Sequence, residues 1–115
     1  VAIERIPELK NFAETNLSKF GFLEHGLVKL VLGDGGKGFA EEAPYDKIIA
    51  AAALPPNKHV LEAIPQEWKE QLKIGGRIVA PVGESIIFLE KKAQNQFIEK
   101  SFFGFNFVPL ITNNL

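Results

Sequence analysis

The chain has 115 residues, 46% of them hydrophobic and 23% charged, and a net charge of −1. That length allows one domain with a real core, and the near-neutral balance gives no reason to expect nucleic acid or an anionic membrane as a partner. The absence of cysteine excludes disulfides, thiolate metal sites and a thiol nucleophile. No apolar run reaches the about 18 residues that would suggest a membrane helix. Glu4, Arg5 and Pro7 fall in the wrong places for a signal peptide, so a cytoplasmic location is the default expectation. Methionine is also absent, including at position 1, and the opening on strand-type residues is what a fragment would show.

Residues 1–4 are predicted to form a short strand. Pro7 suits the first turn of a helix, where its missing N–H costs nothing, and Glu8 favours the positive end of the helix dipole. Leu9, Phe12, Ala13, Leu17 and Phe20 recur at helical spacing, and Gly21 is the natural stop. A second strand is expected over 27–32, running into Gly33-Asp34-Gly35-Gly36-Lys37-Gly38. The run 47–53 does not alternate, as expected of a parallel strand covered on both faces. Leu54-Pro55-Pro56 breaks it. Residues 57–72 read as helix interrupted at Pro65, with Val60, Leu61, Ile64, Trp68 and Leu72 as the buried stripe. Gly75-Gly76 is expected to turn the chain into a strand over 77–82. Segments 85–91 and 97–107 then look like antiparallel strands joined by the turn 93–96. Val108-Pro109-Leu110 closes the fold, and Thr112-Asn113-Asn114 reads as a frayed tail. The order β-α-β-loop-β-α-β-β-β implies an α/β fold with a mostly parallel sheet and an antiparallel C-terminal edge.

Two acids are candidates for chemistry. In nucleotide-binding α/β folds an acidic residue at the end of the second strand holds ribose hydroxyls. Glu4 could fill that role, or be a solvated charge at a strand end. Asp34 stands at the carboxyl end of a strand expected to neighbour that of Glu4, where open α/β sheets bind ligands. Two carboxylates could together accept from a ribose and an exocyclic amine. Gly33, Gly35 and Gly38 also match G-x-G-x-x-G, but only 39–45 separate them from the next strand, and no crossover helix fits there. His25 and His59 lack partners for a triad or metal site and read as surface residues. Lys47, Lys58, Lys69 and Lys73 are scattered. Trp68 and the phenylalanines of 102–107 fit packing better than a stacking platform, and Ser85 lacks a nucleophile-elbow context.

Taken in order, the segments Val-Ala-Ile-Glu-Arg-Ile-Pro-Glu-Leu (1–9), Val-Leu-Gly-Asp-Gly (31–35), Glu-Glu-Ala-Pro-Tyr-Asp-Lys-Ile-Ile (41–49), Ala-Ala-Ala-Leu-Pro (51–55), Gln-Leu-Lys-Ile-Gly-Gly-Arg-Ile-Val-Ala-Pro-Val-Gly (71–83) and Phe-Val-Pro-Leu (107–110) resemble the protein-L-isoaspartate O-methyltransferase family, and in particular its C-terminal portion. The resemblance covers nearly the whole chain. It implies a Rossmann-like class I methyltransferase sheet of order 3-2-1-4-5-7-6, lacking the N-terminal first strand. Residues 1–115 would then be the C-terminal part of a single methyltransferase domain. It also implies S-adenosyl-L-methionine as cofactor, with Glu4 on the ribose and Asp34 and Gly35 at the adenine. Ala52, Ala53, Leu54 and Pro55 would face the methyl donor and substrate. The implied partners are proteins and peptides containing isoaspartyl or D-aspartyl residues, with no nucleic acid, membrane or metal.

Four features depart from the family pattern. The glycine-rich first loop and the Ser/Thr-rich substrate segment are absent from the chain. Leu54 stands where a third alanine before the proline is common, and the stretch between Pro55 and Gly75 is longer than usual. Ile111 replaces a threonine that follows Val-Pro-Leu in some members, with Thr112 one place later. No catalytic residue is identifiable, and none is required: the acceptor carboxylate is already ionised at neutral pH, so positioning carries the reaction. The missing first strand would lie between the strands at 1–4 and 46–53, leaving two internal edges or forcing those strands to pair. On this reading the parent is an enzyme of protein repair, and the 115 residues alone are inactive. Two other readings stay open: a class I methyltransferase with a small-molecule acceptor, and a non-catalytic binding module.

Overall fold

In the computed structural model, which describes residues 1–112, helix α1 runs from Pro7 to Ser18 with proline in its first turn. Gly21 ends it as the sequence predicts. At φ +70° its N–H donates to the Ser18 carbonyl at 3.1 Å, while the Phe22 N–H reaches back to Leu17 at 3.3 Å. That pair of bonds is a Schellman motif, with glycine at the left-handed position. A side chain there would also collide with the His25 ring, 2.9 Å from the place a Cβ would take.

The chain divides into two compact units. The first comprises Val1–Gly38 and, among the described residues, Thr112; the second is Phe39–Ile111. In the first, β1 (Ala2–Glu4) pairs in parallel with β2 (Leu30–Leu32), Glu4 opposite Leu32. The second strand is shorter than the expected 27–32. The N–H groups of Leu27 and Val28 both turn back to the Phe22 carbonyl and so cannot enter a ladder. The apolar stripe of α1 exists but is not covered: Phe12 is 67% exposed and Phe20 70%.

The second unit holds the hydrophobic core. Its sheet is β3 (Tyr45–Ile49), β4 (Leu72–Val82), β5 (Ser85–Ala93) and β6 (Gln96–Phe103), in that spatial order. β3 pairs with β4 in parallel, and the remaining pairs are antiparallel. On its other side β3 has no strand neighbour among the described residues, and in the first unit β1 has only β2. Ile78, Ala80 and Val82 on β4 and Ile87 and Leu89 on β5 alternate inward, as the period of two requires. They meet Leu54, Ile64, Leu72 and Trp68. Trp68 is carried on the short helix α3 (Gln66–Gln71), which follows helix α2 (Val60–Ala63). The break between these helices falls at Pro65 as predicted. The predicted stripe of 57–72 is buried at Ile64, Trp68 and Leu72, while Leu61 stays exposed.

Three expectations are corrected. The order implied by resemblance puts the last strand inside the antiparallel edge, whereas β4, β5 and β6 follow one another as a meander. Only Gly83 and Glu84 join β4 to β5, and only Gln94 and Asn95 join β5 to β6. Links that short make sequential antiparallel neighbours and leave no path for an inserted strand. Gly75-Gly76 does not turn the chain; both lie within β4, where the register shifts between the Tyr45–Leu72 and Lys47–Arg77 pairs. Gly75 absorbs that bulge at φ +87°. Finally, the strand expected to reach Ala53 ends at Ile49, for reasons that concern the candidate site.

Candidate functional site

The two acids singled out in the sequence lie together at the carboxyl ends of a paired set of strands. Glu4 is the last residue of β1, and its carbonyl accepts from the Gly33 N–H at 3.0 Å. That bond brings the start of the glycine loop alongside it. The Glu4 Oε1 accepts from the N–H groups of Arg5 and Ile6 at 2.9 and 3.0 Å. These are the first backbone donors before α1, so the carboxylate is held in place by the chain that follows it. Oε2 makes no hydrogen bond or ion pair among the described residues.

Asp34 is 9% exposed and its Oδ1 accepts from the Gly36 N–H at 2.9 Å. It thereby caps the short 3-10 turn Gly35–Lys37, the role for which a short acidic side chain is suited. The loop is packed around this cap. A Cβ on Gly36 would lie 2.9 Å from Thr112 Cγ2 and 3.1 Å from Asp34 Oδ1. Gly35 is the opposite case, with open space where its Cβ would stand. A flat group could approach the backbone there. Gly38 opens no α-helix; a second 3-10 turn, Ala40–Glu42, follows instead, so the dinucleotide fingerprint is not realised.

Thr112 was read as tail, yet it lies against Gly36 beside the candidate site. Asn113 and Asn114, the rest of that predicted tail, are outside the described residues. The sequence signal was present in the family's threonine after Val-Pro-Leu, displaced here by one position.

In the second unit, the segment 50–55 leaves β3 and is fixed by backbone bonds on two sides. Ala53 donates to Val108 and accepts from Leu110, each at 2.7 Å; Leu54 donates to Pro81 at 2.8 Å and accepts from Gly83 at 2.9 Å. These bonds end the strand ladder early and hold the segment at the carboxyl end of β4, where Leu54 bridges to Val82. The predicted site residues here divide. The Leu54 side chain turns into the core and is buried, so it can offer only its backbone to a ligand. Ala52 and Ala53 are half-buried and Pro55 is exposed. The closing role expected of 108–110 is borne out as the outer half of this clamp.

The histidines stay peripheral. The exposed His25 ring hydrogen-bonds the Gly21 carbonyl through Nδ1 at 2.8 Å, and His59 is exposed where α2 begins. One polar residue escaped sequence reasoning altogether. Lys91 is 2% exposed, and its Nζ donates to the carbonyls of Lys69 at 2.7 Å and Leu72 at 2.9 Å. The alternation Ile87, Leu89, Lys91 was its signal.

The sequence matches, over residues 1–115, the family described as protein-L-isoaspartate(D-aspartate) O-methyltransferase (PCMT). A protein-L-isoaspartate O-methyltransferase of Staphylothermus marinus is 38% identical over 113 residues, covering 95% of this chain and 46% of that protein. One of Methanococcus aeolicus is 45% identical over 117 residues, covering 99% and 49% respectively. A solved structure of a Plasmodium falciparum protein assigned to the same activity, in complex with S-adenosyl-L-homocysteine, superposes with a TM-score of 0.73. At 20% identity over 96% of this chain and 51% of that one, this likeness shows the fold. The chain spans about half the length of the curated relatives it matches. The chain described here belongs to the protein-L-isoaspartate(D-aspartate) O-methyltransferase family.

Proposed function

We propose that the full-length protein methylates the free carboxylate of L-isoaspartyl, and D-aspartyl, residues in damaged proteins, with S-adenosyl-L-methionine as the methyl donor. The observation that carries this reading is the pairing of Glu4 and Asp34 at the carboxyl ends of two hydrogen-bonded parallel strands. Family membership over the whole chain supports it, as does the S-adenosyl-L-homocysteine held by the Plasmodium falciparum relative.

The residues present fit such a cofactor. Glu4 offers an unengaged carboxylate oxygen, an acceptor for vicinal hydroxyls. Gly35 offers an open backbone face for a flat base, and Asp34 holds the loop in that shape through its cap on Gly36. When bound, S-adenosyl-L-methionine supplies an activated methyl group on its sulfonium. The proposed substrate-facing residues Ala52, Ala53 and Pro55 lie on a segment whose backbone is fixed by Val108, Leu110, Pro81 and Gly83, the rigidity that presenting an acceptor requires. The acceptor arrives as an anion at neutral pH, so no side chain has to remove a proton. The chain's task is alignment and exclusion of water.

The test is methyl transfer by the full-length protein to an isoaspartyl peptide and to the same peptide with a normal aspartyl linkage. Turnover of the first alone is expected. Equal turnover, or methylation of small acceptors only, would sink this reading.

A further inference from the structure

The bulge in β4 opens a cationic cleft for which the proposed methyl transfer has no use. Between the Tyr45–Leu72 and Lys47–Arg77 pairs the backbone of β4 swings away from β3, leaving a cleft of about 340 Å³ walled by Asp46, Lys47, Lys73 and Arg77 over Gly75-Gly76. Gly75 leaves open space where a side chain would stand. At Gly76 a Cβ would lie 2.8 Å from the Lys73 carbonyl oxygen and 2.9 Å from that of Asp46, so bare backbone is required there. The one acid in the cleft is already engaged, with Lys73 Nζ 3.1 Å from Asp46 Oδ1. Lys47 and Arg77 make no ion pair or side-chain hydrogen bond among the described residues.

Those two cations are register partners on adjacent strands, with backbones about 4.8 Å apart and side chains on one face of the sheet. Like charges set directly opposite one another destabilise a sheet. Local conflicts of this kind are expected at functional or strained sites. Arginine presents a planar fork that matches a tetrahedral oxyanion two bonds at a time, and lysine adds a point charge beside it.

We infer that this cleft binds a small multivalent oxyanion of the phosphate type. Arg77 is its bidentate ligand and Lys47 the second charge. The Lys73–Asp46 pair forms the wall, and the open face at Gly75 lets the anion come close. The cleft lies toward the opposite end of β4 from the Leu54–Val82 bridge, about 16 Å away at some 3.3 Å per residue. The inference therefore stands apart from the methyltransferase reading, and either can fail alone.

The test is titration of the isotopically labelled full-length protein with sodium pyrophosphate, followed by backbone amide resonances, against sodium chloride at matched ionic strength. Saturable shifts confined to Lys47 and 73–77 are expected with pyrophosphate and absent with chloride. Arg77→Gln and Lys47→Gln, both at exposed positions, should each weaken binding about tenfold, the equivalent of one lost charge-assisted contact. Lys100→Gln, on β6 and two strands away from β4, should leave the affinity unchanged. Non-saturating shifts matched by chloride, or unchanged affinity in both cleft variants, would overturn the inference. Citrate binding as tightly as pyrophosphate would overturn the assignment to phosphate chemistry.

Discussion

Replacing Lys91 with methionine tests how the core of the second unit tolerates a buried cation. The ammonium is held by two carbonyls, those of Lys69 within α3 and Leu72 just beyond it, and has no acidic partner among the described residues. Two effects oppose each other. A hydrogen bond to a charged group contributes about 1.5–3 kcal/mol net, so losing both costs about 3–6 kcal/mol. Methionine keeps the packing of the lysine stem and adds apolar burial of about 1–2 kcal/mol. It also relieves the chain of desolvating an ammonium, a penalty that can exceed the gain from pairing when the pairing is poor. Both bonds here are shorter than 3 Å, and they engage carbonyls at the C-terminal end of α3, where a helix leaves acceptors without intrahelical donors. The bonds should therefore win, with Lys91→Met destabilising by about 2–4 kcal/mol. Trp68 makes the measurement local. It is the only tryptophan, it is buried on α3 itself, and its fluorescence during urea unfolding reports on the helix that Lys91 holds. With a slope near 1.5 kcal/mol per molar urea, the midpoint should fall by about 1.3–2.7 M. Lys91→Ala should fall further, because it adds a cavity. An unchanged or raised midpoint in Lys91→Met would show that desolvation outweighs the two bonds and would refute this reasoning.

Gly76→Ala should destabilise the second unit by about 1–3 kcal/mol, because its methyl would press on two backbone oxygens and on the buried Leu72 side chain; a thermal melt equal to the parent's would contradict the tight approach. In the full-length protein, Glu4→Gln keeps the acceptor for Arg5 and Ile6 but loses the charge, and calorimetry should show S-adenosyl-L-methionine binding weakened about tenfold. Asp34→Ala should weaken it as well, since the cap on Gly36 goes with the carboxylate; unchanged affinity in either variant removes that residue from the site. The 115-residue chain alone is expected to bind the cofactor weakly or not at all, since the unit carrying Glu4 and Asp34 contributes nothing to the buried hydrophobic core. Micromolar binding to it would show that the loop needs no such support.

The legible parts of the fold were those decided by one residue and its immediate neighbours. Pro7 and Gly21 bounded α1 because each acts through its own backbone dihedral. Pro65 separated α2 from α3 for the same reason. The acid at the end of β1 and the Asp34 turn could be read because strand ends and glycine loops have local signatures. What failed depended on partners far along the chain. Nothing within 50–53 announces that Ala53 will bond to Val108 and Leu110, and without those bonds the alanine run looks like more strand. Gly75-Gly76 carries the composition of a turn, and only the offset pairing with β3 turns it into a bulge.

The strand order shows how local chemistry can outrank resemblance. Two-residue links at Gly83-Glu84 and Gln94-Asn95 were visible in the sequence, and hairpin geometry alone gives a meander; the family template pointed to an inserted strand and was wrong on this point. The same contrast separates the two groups of proposed site residues, each within its own unit. Glu4, Asp34 and Gly35 sit on a framework fixed by backbone hydrogen bonds and glycine geometry, with the apolar face of α1 left open. Ala52 to Pro55 sit on a framework anchored through Leu54 to a packed core. Cofactor-side substitutions should therefore change affinity with little effect on the unfolding transition seen by Trp68. Substitutions around Leu54 should move both together, because there the backbone proposed to face the substrate and the core share a residue.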